Sequence, residues 1–248
     1  DNRIEKRCKI LEEKLLHFKE KLGLIYRISY KELDEEDWAH SWKAYFWPQK
    51  IGRNMVVKPT WRNYQADPGD IVIELDPGMA FGTGTHPTTT MCVTLIESLL
   101  KRGDSFLDVG TGSGILLIAA AKLGACNVCG IDNDRTAVDI AAGNLKLNDV
   151  GTQQGRVICG DLVGGIREKY DIITANILSH VILVLLKDIK RVLKPGGVFI
   201  CSGIVDKNEK QVVDAMGNAG FEIIEISSKD EWVAIAGRLT AKEERHSA

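Results

Sequence analysis

The sequence predicts an α/β fold: a mostly parallel sheet covered by helices on both faces, closing on an antiparallel pair. Three observations predict it. From about Met91 onward, segments of helical and strand period alternate without a break. At residues 106–115 an apolar strand runs directly into a glycine cluster and then into an apolar helix, the local form of a strand–turn–helix unit. Phe221–Ser228 and Trp232–Leu239 are separated only by Lys229-Asp-Glu231. That link is too short for a crossover helix, so the two runs pair antiparallel.

The 248 residues suffice for one large domain, or for an ordinary domain with a small appendage. Lys+Arg 32 against Asp+Glu 34 gives a net charge of −2. The chain therefore lacks the basic excess of a protein that grips nucleic acid through phosphates, and direct DNA binding is not expected. Hydrophobic residues at 44% and charged residues at 27% exclude a wholly disordered or collagen-like chain. No apolar stretch approaches the roughly 18 residues of a membrane span. Six cysteines scattered through apolar segments, with no signal peptide, fit free thiols in a reducing cytoplasm.

Taken in order, Ile4, Cys8, Leu11, Leu15, Phe18 and Leu22 mark one amphipathic helix over Arg3–Leu22. It packs on a small sheet or, as the lesser alternative, forms a short coiled-coil seam. A strand over Leu24–Tyr30 follows, then a second helix capped by Asp34 and stopped before Pro48. Trp38, Trp42 and Tyr45 share one face of that helix and suit packing better than a ligand cage. Asn54–Lys58 and Asp70–Leu75, joined by a turn-rich connector, suggest a small hairpin or two edge strands.

Beyond them, helices are expected near 88–102, 113–123, 134–148, 179–193 and 207–219. Strands are expected near 104–109, 126–131, 156–160, 170–175, 196–203, 221–228 and 231–238. Residues 240–248 read as a polar tail.

The informative chemistry begins at Phe106-Leu-Asp-Val-Gly-Thr-Gly-Ser-Gly-Ile115. Gly110, Gly112 and Gly114 permit a tight turn and a close approach of backbone and helix N-terminus to a ligand. The spacing is G-x-G-x-G, and Asp108 precedes it at the strand's carboxyl end. A dinucleotide pyrophosphate would be repelled by that carboxylate, whereas an ammonium or sulfonium would be attracted. This argues against the rival reading of an NAD-dependent dehydrogenase.

Val128-Cys-Gly-Ile-Asp132 ends a second strand in an acid placed to accept ribose hydroxyls. Arg156-Val-Ile-Cys-Gly-Asp161 ends a third in an acid suited to an adenine amino group. Three acids at three successive strand ends describe a site for adenosine joined to a cationic amino acid, which is S-adenosyl-L-methionine.

Upstream, Gly78, Gly82 and Gly84 are followed by Thr85, His86, Thr88 and Thr89 just before a helix, the composition of a loop that folds over a ligand and excludes water. Downstream, the strand Tyr170-Asp-Ile-Ile-Thr-Ala-Asn176 ends in an amide that would face the methyl donor and accept a hydrogen bond from a substrate amine. Asn176 also reads as a helix cap, and the two roles are compatible. Cys126-Asn-Val-Cys129 falls in a strand, where its spacing sends the thiols to opposite faces and argues against a metal or redox pair. Lys187, Lys190, Arg191 and Lys194 form a basic helix end that complements the helix dipole.

With these residues in view, Asp76-Pro-Gly-Met-Ala-Phe-Gly-Thr-Gly-Thr-His-Pro-Thr-Thr89, Asp108-Val-Gly-Thr-Gly-Ser-Gly-Ile-Leu116, Gly130-Ile-Asp-Asn-Asp134, Asn176-Ile-Leu178 and Glu231-Trp-Val-Ala-Ile-Ala-Gly-Arg238 resemble the PrmA family, the methyltransferases of large-subunit ribosomal protein eleven. The resemblance covers about residues 32 to 239. It implies a Rossmann-like class I methyltransferase fold, a seven-stranded mostly parallel sheet of order 3-2-1-4-5-7-6 with a reversed last strand. It also implies S-adenosyl-L-methionine as donor, and lysine side chains and an N-terminal amine of a ribosomal protein as acceptors.

The resemblance further implies cofactor contacts from Phe81, Thr85, His86, Thr88, Asp108, Gly110, Thr111, Gly112, Gly114, Asp132, Asn133, Asp161 and Asn176, with Asn176 as the catalytic residue and no metal. In that family a ferredoxin-like amino-terminal domain of two β-α-β units grips the substrate. Here the chain opens on Asp1 with one helix and one strand before the linker. Residues 1–31 are therefore expected to be the last half of that domain, with 32–69 a linker helix and connector and 70–239 the methyltransferase domain. Transfer to another protein's lysine, to RNA or to a small molecule by the same core stays the alternative.

Overall fold

The computed structural model describes residues 46–76, 82 and 84–240, together with Glu12 and Leu15, both helical. The rest of the expected helix over 3–22, residues 34–45 of the second, the strand over 24–30, the rest of the amino-terminal remnant, Phe81 and residues 241–248 of the tail lie outside the described residues, and Phe46 and Trp47 are not helical. The chain divides into two compact units, Asp1–Tyr45 and Phe46–Ala248.

Within the second unit a seven-stranded sheet follows the expected order. Its strands are β4 (Ser105–Val109), β5 (Asn127–Asp132), β6 (Gly155–Cys159), β7 (Tyr170–Asn176), β8 (Leu193–Val205), β9 (Phe221–Lys229) and β10 (Trp232–Leu239). They stand side by side as β6-β5-β4-β7-β8-β10-β9. All neighbours are parallel except at β10, which runs antiparallel to both β8 and β9. The order reverses between β4 and β7, so the carboxyl ends of β4, β5, β6 and β7 open on a common crevice. Tyr170, Phe106 and Phe199 are fully buried in the core on either side of that switch.

A smaller sheet holds β1 (Gln49–Lys50), β2 (Met55–Pro59) and β3 (Ile71–Leu75) in the order β1-β2-β3. Here the structure corrects the hairpin reading: β2 and β3 are parallel, with Met55 opposite Ile71 and Pro59 opposite Leu75. The connector is long enough to carry the chain back to the same end. It is pinned by Asp70, whose Oδ2 accepts the Tyr64 hydroxyl at 2.6 Å and the Asp67 N–H at 3.0 Å. Residues 46–69 thus contribute two strands to the second compact unit, because pairing with β3 buries Met55, Val56 and Val57.

Helices fill the connections: α1 (Pro87–Leu99), α2 (Ile115–Lys122), α3 (Arg135–Leu147), α4 (Ser179–Leu185), α5 (Ile189–Val192) and α6 (Glu209–Asn218). Residues 115–121 of α2 are all buried. A helix apolar on every side must be covered on every side. The small sheet supplies part of that cover through contacts of β3 with α2 and α3.

The helix expected over 179–193 is two pieces, α4 and α5, and β8 begins directly at Leu193. Lys190 and Arg191 lie in the last turn of α5, and two of the four basic residues also have partners of their own. Arg191 donates to the carbonyls of Val163 and Ile166, and Lys194 bonds Asp171 at 2.7 Å.

Two asparagines one turn apart, Asn144 on α3 and Asn148 capping its end, staple β3 to this assembly. Asn144 Oδ1 accepts the Asp76 N–H at 3.0 Å while its Nδ2 donates to the Ser113 carbonyl at 2.8 Å. Asn148 Oδ1 accepts the Glu74 N–H at 2.9 Å. Asn144 is 1% exposed, so its loss strands backbone groups that water cannot reach. Asn144→Ala is therefore expected to lower the unfolding free energy by about 1–3 kcal/mol, read from denaturant titrations. An unchanged midpoint would remove the staple from the fold's energetics.

Candidate functional site

The glycine loop is shaped by what each glycine must avoid. Gly110, Gly112 and Gly114 have φ of 72°, 54° and 81°, in the left-handed region that disfavours a side chain. A Cβ on Gly110 would stand 2.4 Å from Ile177 Cγ2, and one on Gly114 would stand 3.1 Å from the Ala141 Cβ of α3. The loop therefore lies flat between β7 and α3, and α2 starts immediately after it. Gly110 and Thr111 both donate their N–H to the Ile131 carbonyl, at 2.8 and 3.1 Å, which locks the loop to the end of β5.

Beside this loop lies a cavity of about 280 Å³. Gly110, Asp132, Asn133 and Asp161 line it, four of the residues singled out in the sequence, with Ile131 and Leu162 supplying apolar wall. Asp132 Oδ2 accepts the Gly112 N–H at 2.9 Å and Oδ1 accepts the Asp134 N–H at 3.0 Å. Each oxygen keeps a second lone pair for a ligand hydroxyl. Leu162 adopts φ 47°, an uncommon conformation for a bulky residue and one that clusters at ligand sites.

Asp108 is placed differently from its two acidic companions, Asp132 and Asp161. It is 1% exposed and lies beneath the loop, off the cavity wall. Thr174 donates to its Oδ1 at 2.6 Å and Thr111 to its Oδ2 at 2.7 Å. Burial pushes its carboxyl up to about 6, against the lowering effect of the two hydroxyls and with a smaller push from Asp132. Thr111, Gly112 and Gly114 likewise build the loop rather than the wall.

A second cavity, about 310 Å³, is lined by His86, Thr88, Asn176 and Trp232 with Gly203 at its back. Ile177 and Leu178 line both cavities and form the ridge between them. Ile177 is tightly held: a Cβ on Gly203, at φ 83°, would meet its carbonyl oxygen at 2.3 Å. Asn176 donates from Nδ2 toward Thr89 Oγ1 at 3.4 Å, so its carbonyl oxygen is the group left to receive a ligand proton.

His86 caps α1. Its Nδ1 accepts the Thr88 N–H at 3.3 Å and lies 2.7 Å from the Thr88 hydroxyl. That lone pair is thereby committed to the helix terminus. The ring meets Trp232 edge-on, with centroids 4.9 Å apart.

The segment before α1 rests on the glycine loop, since Ser113 Oγ donates to the Gly82 carbonyl at 2.6 Å. A Cβ on Gly84 would stand 2.9 Å from Ile115 Cδ1. Thr85 lines neither cavity. Among the described residues no group of His, Cys, Asp and Glu could hold a metal ion, and no helix is long and apolar enough to cross a membrane. Cys126 is exposed just before β5 and Cys129 is buried within it.

Sequence reasoning missed Trp232, Gly203, Ile177, Leu178 and Leu162 as site residues. For Ile177 and Leu178 the signal was their place directly after Asn176. For Trp232 and Gly203 no local signal existed, because the reversed strand β10 brings Trp232 opposite Val205 only through long-range pairing.

Comparison with known proteins agrees with this geometry. The family described as "Ribosomal protein L11 methyltransferase (PrmA)" matches residues 2–240. A ribosomal protein L11 methyltransferase of Desulfosudis oleivorans is 52% identical over 215 residues, 86% of this chain and 71% of that one. Its counterpart in Desulforapulum autotrophicum is 46% identical over 217 residues, covering 88% and 72%. The crystal structure of the ribosomal protein L11 methylase of Lactobacillus delbrueckii subsp. bulgaricus superposes with a TM-score of 0.74 at 31% identity, over 79% of this chain and 100% of that one. A methyltransferase structure from Pyrococcus furiosus, at 17% identity and a TM-score of 0.56 over 66% of this chain and 86% of that one, shares the fold. The loop, the two adjoining cavities and these relatives together make the chain a member of the ribosomal protein L11 methyltransferase (PrmA) family.

Proposed function

We propose that the chain methylates protein amines, lysine side chains and an N-terminal amine, using S-adenosyl-L-methionine, with ribosomal protein L11 as the acceptor. The observation that carries this reading is the pair of cavities meeting at the Ile177–Leu178 ridge: one has the chemistry of an adenosine site, the other that of an amine site. The names of the relatives supply the acceptor. Such an acceptor is met in the cytoplasm.

The residues present fit the cofactor. Asp132 offers two carboxylate lone pairs that would receive ribose hydroxyls, Asp161 and Asn133 would hold the adenine edge, and Ile131 and Leu162 would supply apolar wall for the base. Gly110 lets the backbone come close. The ionised Asp108 beneath the loop sets a negative potential that favours a cation. When bound there, S-adenosyl-L-methionine supplies a methyl group on a sulfonium that passes to an amine lone pair, the sulfur leaving as a neutral thioether.

The chain's own task is alignment and desolvation. Asn176 accepts one N–H of the incoming amine and turns the nitrogen lone pair toward the ridge. Trp232 and His86 wall the apolar stem of a lysine and attract the methylated ammonium through the indole face. A lysine enters with an ordinary pKa of about 10.4. Taking it out of water beside an uncharged amide favours its neutral form, and its proton passes to solvent.

The test is label transfer. The full protein, methyl-labelled S-adenosyl-L-methionine and purified L11 are expected to give labelled L11, with mass spectrometry locating the methyl groups on lysine and N-terminal nitrogens. Label on RNA or small molecules alone overturns the reading.

A further inference from the structure

Next to the amine cavity lies a shallow groove of about 460 Å³ that the proposed reaction does not use. Three elements meet in it: the loop after β1 with Lys50 and Arg53, the first half of α1 with Thr90 and Thr94, and the end of β9 with Ser228 and Lys229. No carboxylate lines it.

Its charges are only partly spent. Lys50 Nζ lies 3.5 Å from Asp70 Oδ1, a long pairing whose lysine is exposed while the Asp70 side chain is covered. The Arg53 guanidinium donates to the Ser98 hydroxyl at 3.1 Å and, like Lys229, has no ion pair among the described residues. Glu97 stands near Arg53, but its two oxygens accept the backbone N–H groups of Arg53 and Asn54, at 2.6 and 3.0 Å. Asp230 and Glu231 follow Lys229 and lie outside the lining. Thr90 and Thr94 donate their hydroxyls to the Pro87 and Thr90 carbonyls. The cations without an ion pair are therefore Arg53 and Lys229, joined by the Ser228 hydroxyl and by a Lys50 shared with Asp70, a set that suits a carboxylate and repels an ammonium.

Position ties the groove to the amine cavity. Thr88 lines the cavity and Thr94 lines the groove, about 9 Å further along the same helix. Trp232 lines the cavity, and its register partner across the β9–β10 pair is Lys229. A protein whose lysine enters the cavity must lay the surface beside that lysine across the groove.

We propose that this groove docks an acidic segment of the protein acceptor, next to the lysine being methylated. The proposal rests on the protein-acceptor reading above and deepens it: the groove supplies charge-complementary contacts that hold the acceptor while its amine enters the cavity.

The test uses the full protein with L11 and combines Arg53→Gln with Lys229→Glu. KM for L11 is expected to rise about fivefold at low salt and to approach the wild-type value at high salt, with kcat and the cofactor dissociation constant unchanged. Lys229→Glu alone, at the exposed end of β9, shifts KM in the same direction, and Lys229→Arg restores it. Labelled L11 with an unchanged KM in the double variant, or a KM change that ignores salt, overturns the groove alone. A wild-type protein that labels no L11 overturns the protein-acceptor reading and the groove with it.

Discussion

Asn176→Ala is expected to lower kcat for methyl transfer by about 100-fold or more while changing cofactor affinity by less than about threefold. The asymmetry follows from geometry. Asn176 ends β7 and lines the amine cavity but not the cavity that holds Asp132 and Asp161. With Nδ2 engaged by Thr89, the alanine variant would lose the carbonyl oxygen we propose as the acceptor-aiming group and would leave the lining of the other cavity in place.

A companion variant separates orientation from charge. Asn176→Asp keeps an acceptor oxygen but adds a negative charge that holds the incoming amine protonated. Its rate is expected to be low at neutral pH and to recover partly as pH rises toward the amine's own pKa. Single-turnover kinetics with saturating cofactor, followed from pH 7 to 10, distinguish the cases. An alanine variant with wild-type turnover removes Asn176 from the chemistry.

The second large effect concerns Asp108, where stability and binding are expected to move in opposite directions. Its carboxyl, pushed up to about 6 by burial, keeps a proton between roughly pH 4 and 6 that the unfolded chain has already lost. The ligand-free protein therefore loses stability as pH rises through that window, and above it the ionised group costs about 3 kcal/mol. Asp108→Asn removes the charge yet can still engage both threonines, since an amide offers one acceptor and one donor side and hydroxyls can serve as either.

At pH 7.5 the variant is expected to be more stable than wild type by about 1–3 kcal/mol and to bind S-adenosyl-L-methionine at least about tenfold more weakly. Wild-type affinity should fall below about pH 6, where Asp108 protonates, and the variant should lose that pH dependence. Calorimetric titrations at pH 5 and 7.5 with paired denaturation curves test both halves. A variant that is less stable and binds the cofactor normally would make Asp108 a brace for the loop and nothing more.

Much of this could be read from local patterns. The strands at β4, β5, β6 and β7 ended within a residue of the positions their patterning indicated, and the acids Asp132 and Asp161 sit at the crevice their strand ends predicted. What failed has a common cause. The β2–β3 pair reads as a possible hairpin because its segments are short and joined by a turn-rich connector, whereas the fold pairs them in parallel and holds β3 against α2 and α3. The 179–193 helix was read as continuous because its apolar period persists across 186–188, where the chain instead turns to let β8 start at Leu193 beside Tyr170.

Asp108 shows the same division within one residue. Its place before the glycines marked it as part of a cation-binding loop, but only the approach of Thr174 from β7, 66 residues away, showed that its carboxylate is enclosed rather than presented. By itself the sequence determined the alternation of elements, the glycine turn and the acids at the strand ends, since period and backbone permissiveness are properties of neighbouring residues. Only the tertiary structure decided that Trp232 and Gly203 complete the amine cavity and that three cations converge beside it. Those arrangements depend on which strands pair and in what register, and side chains far apart in the chain meet only after that choice is made.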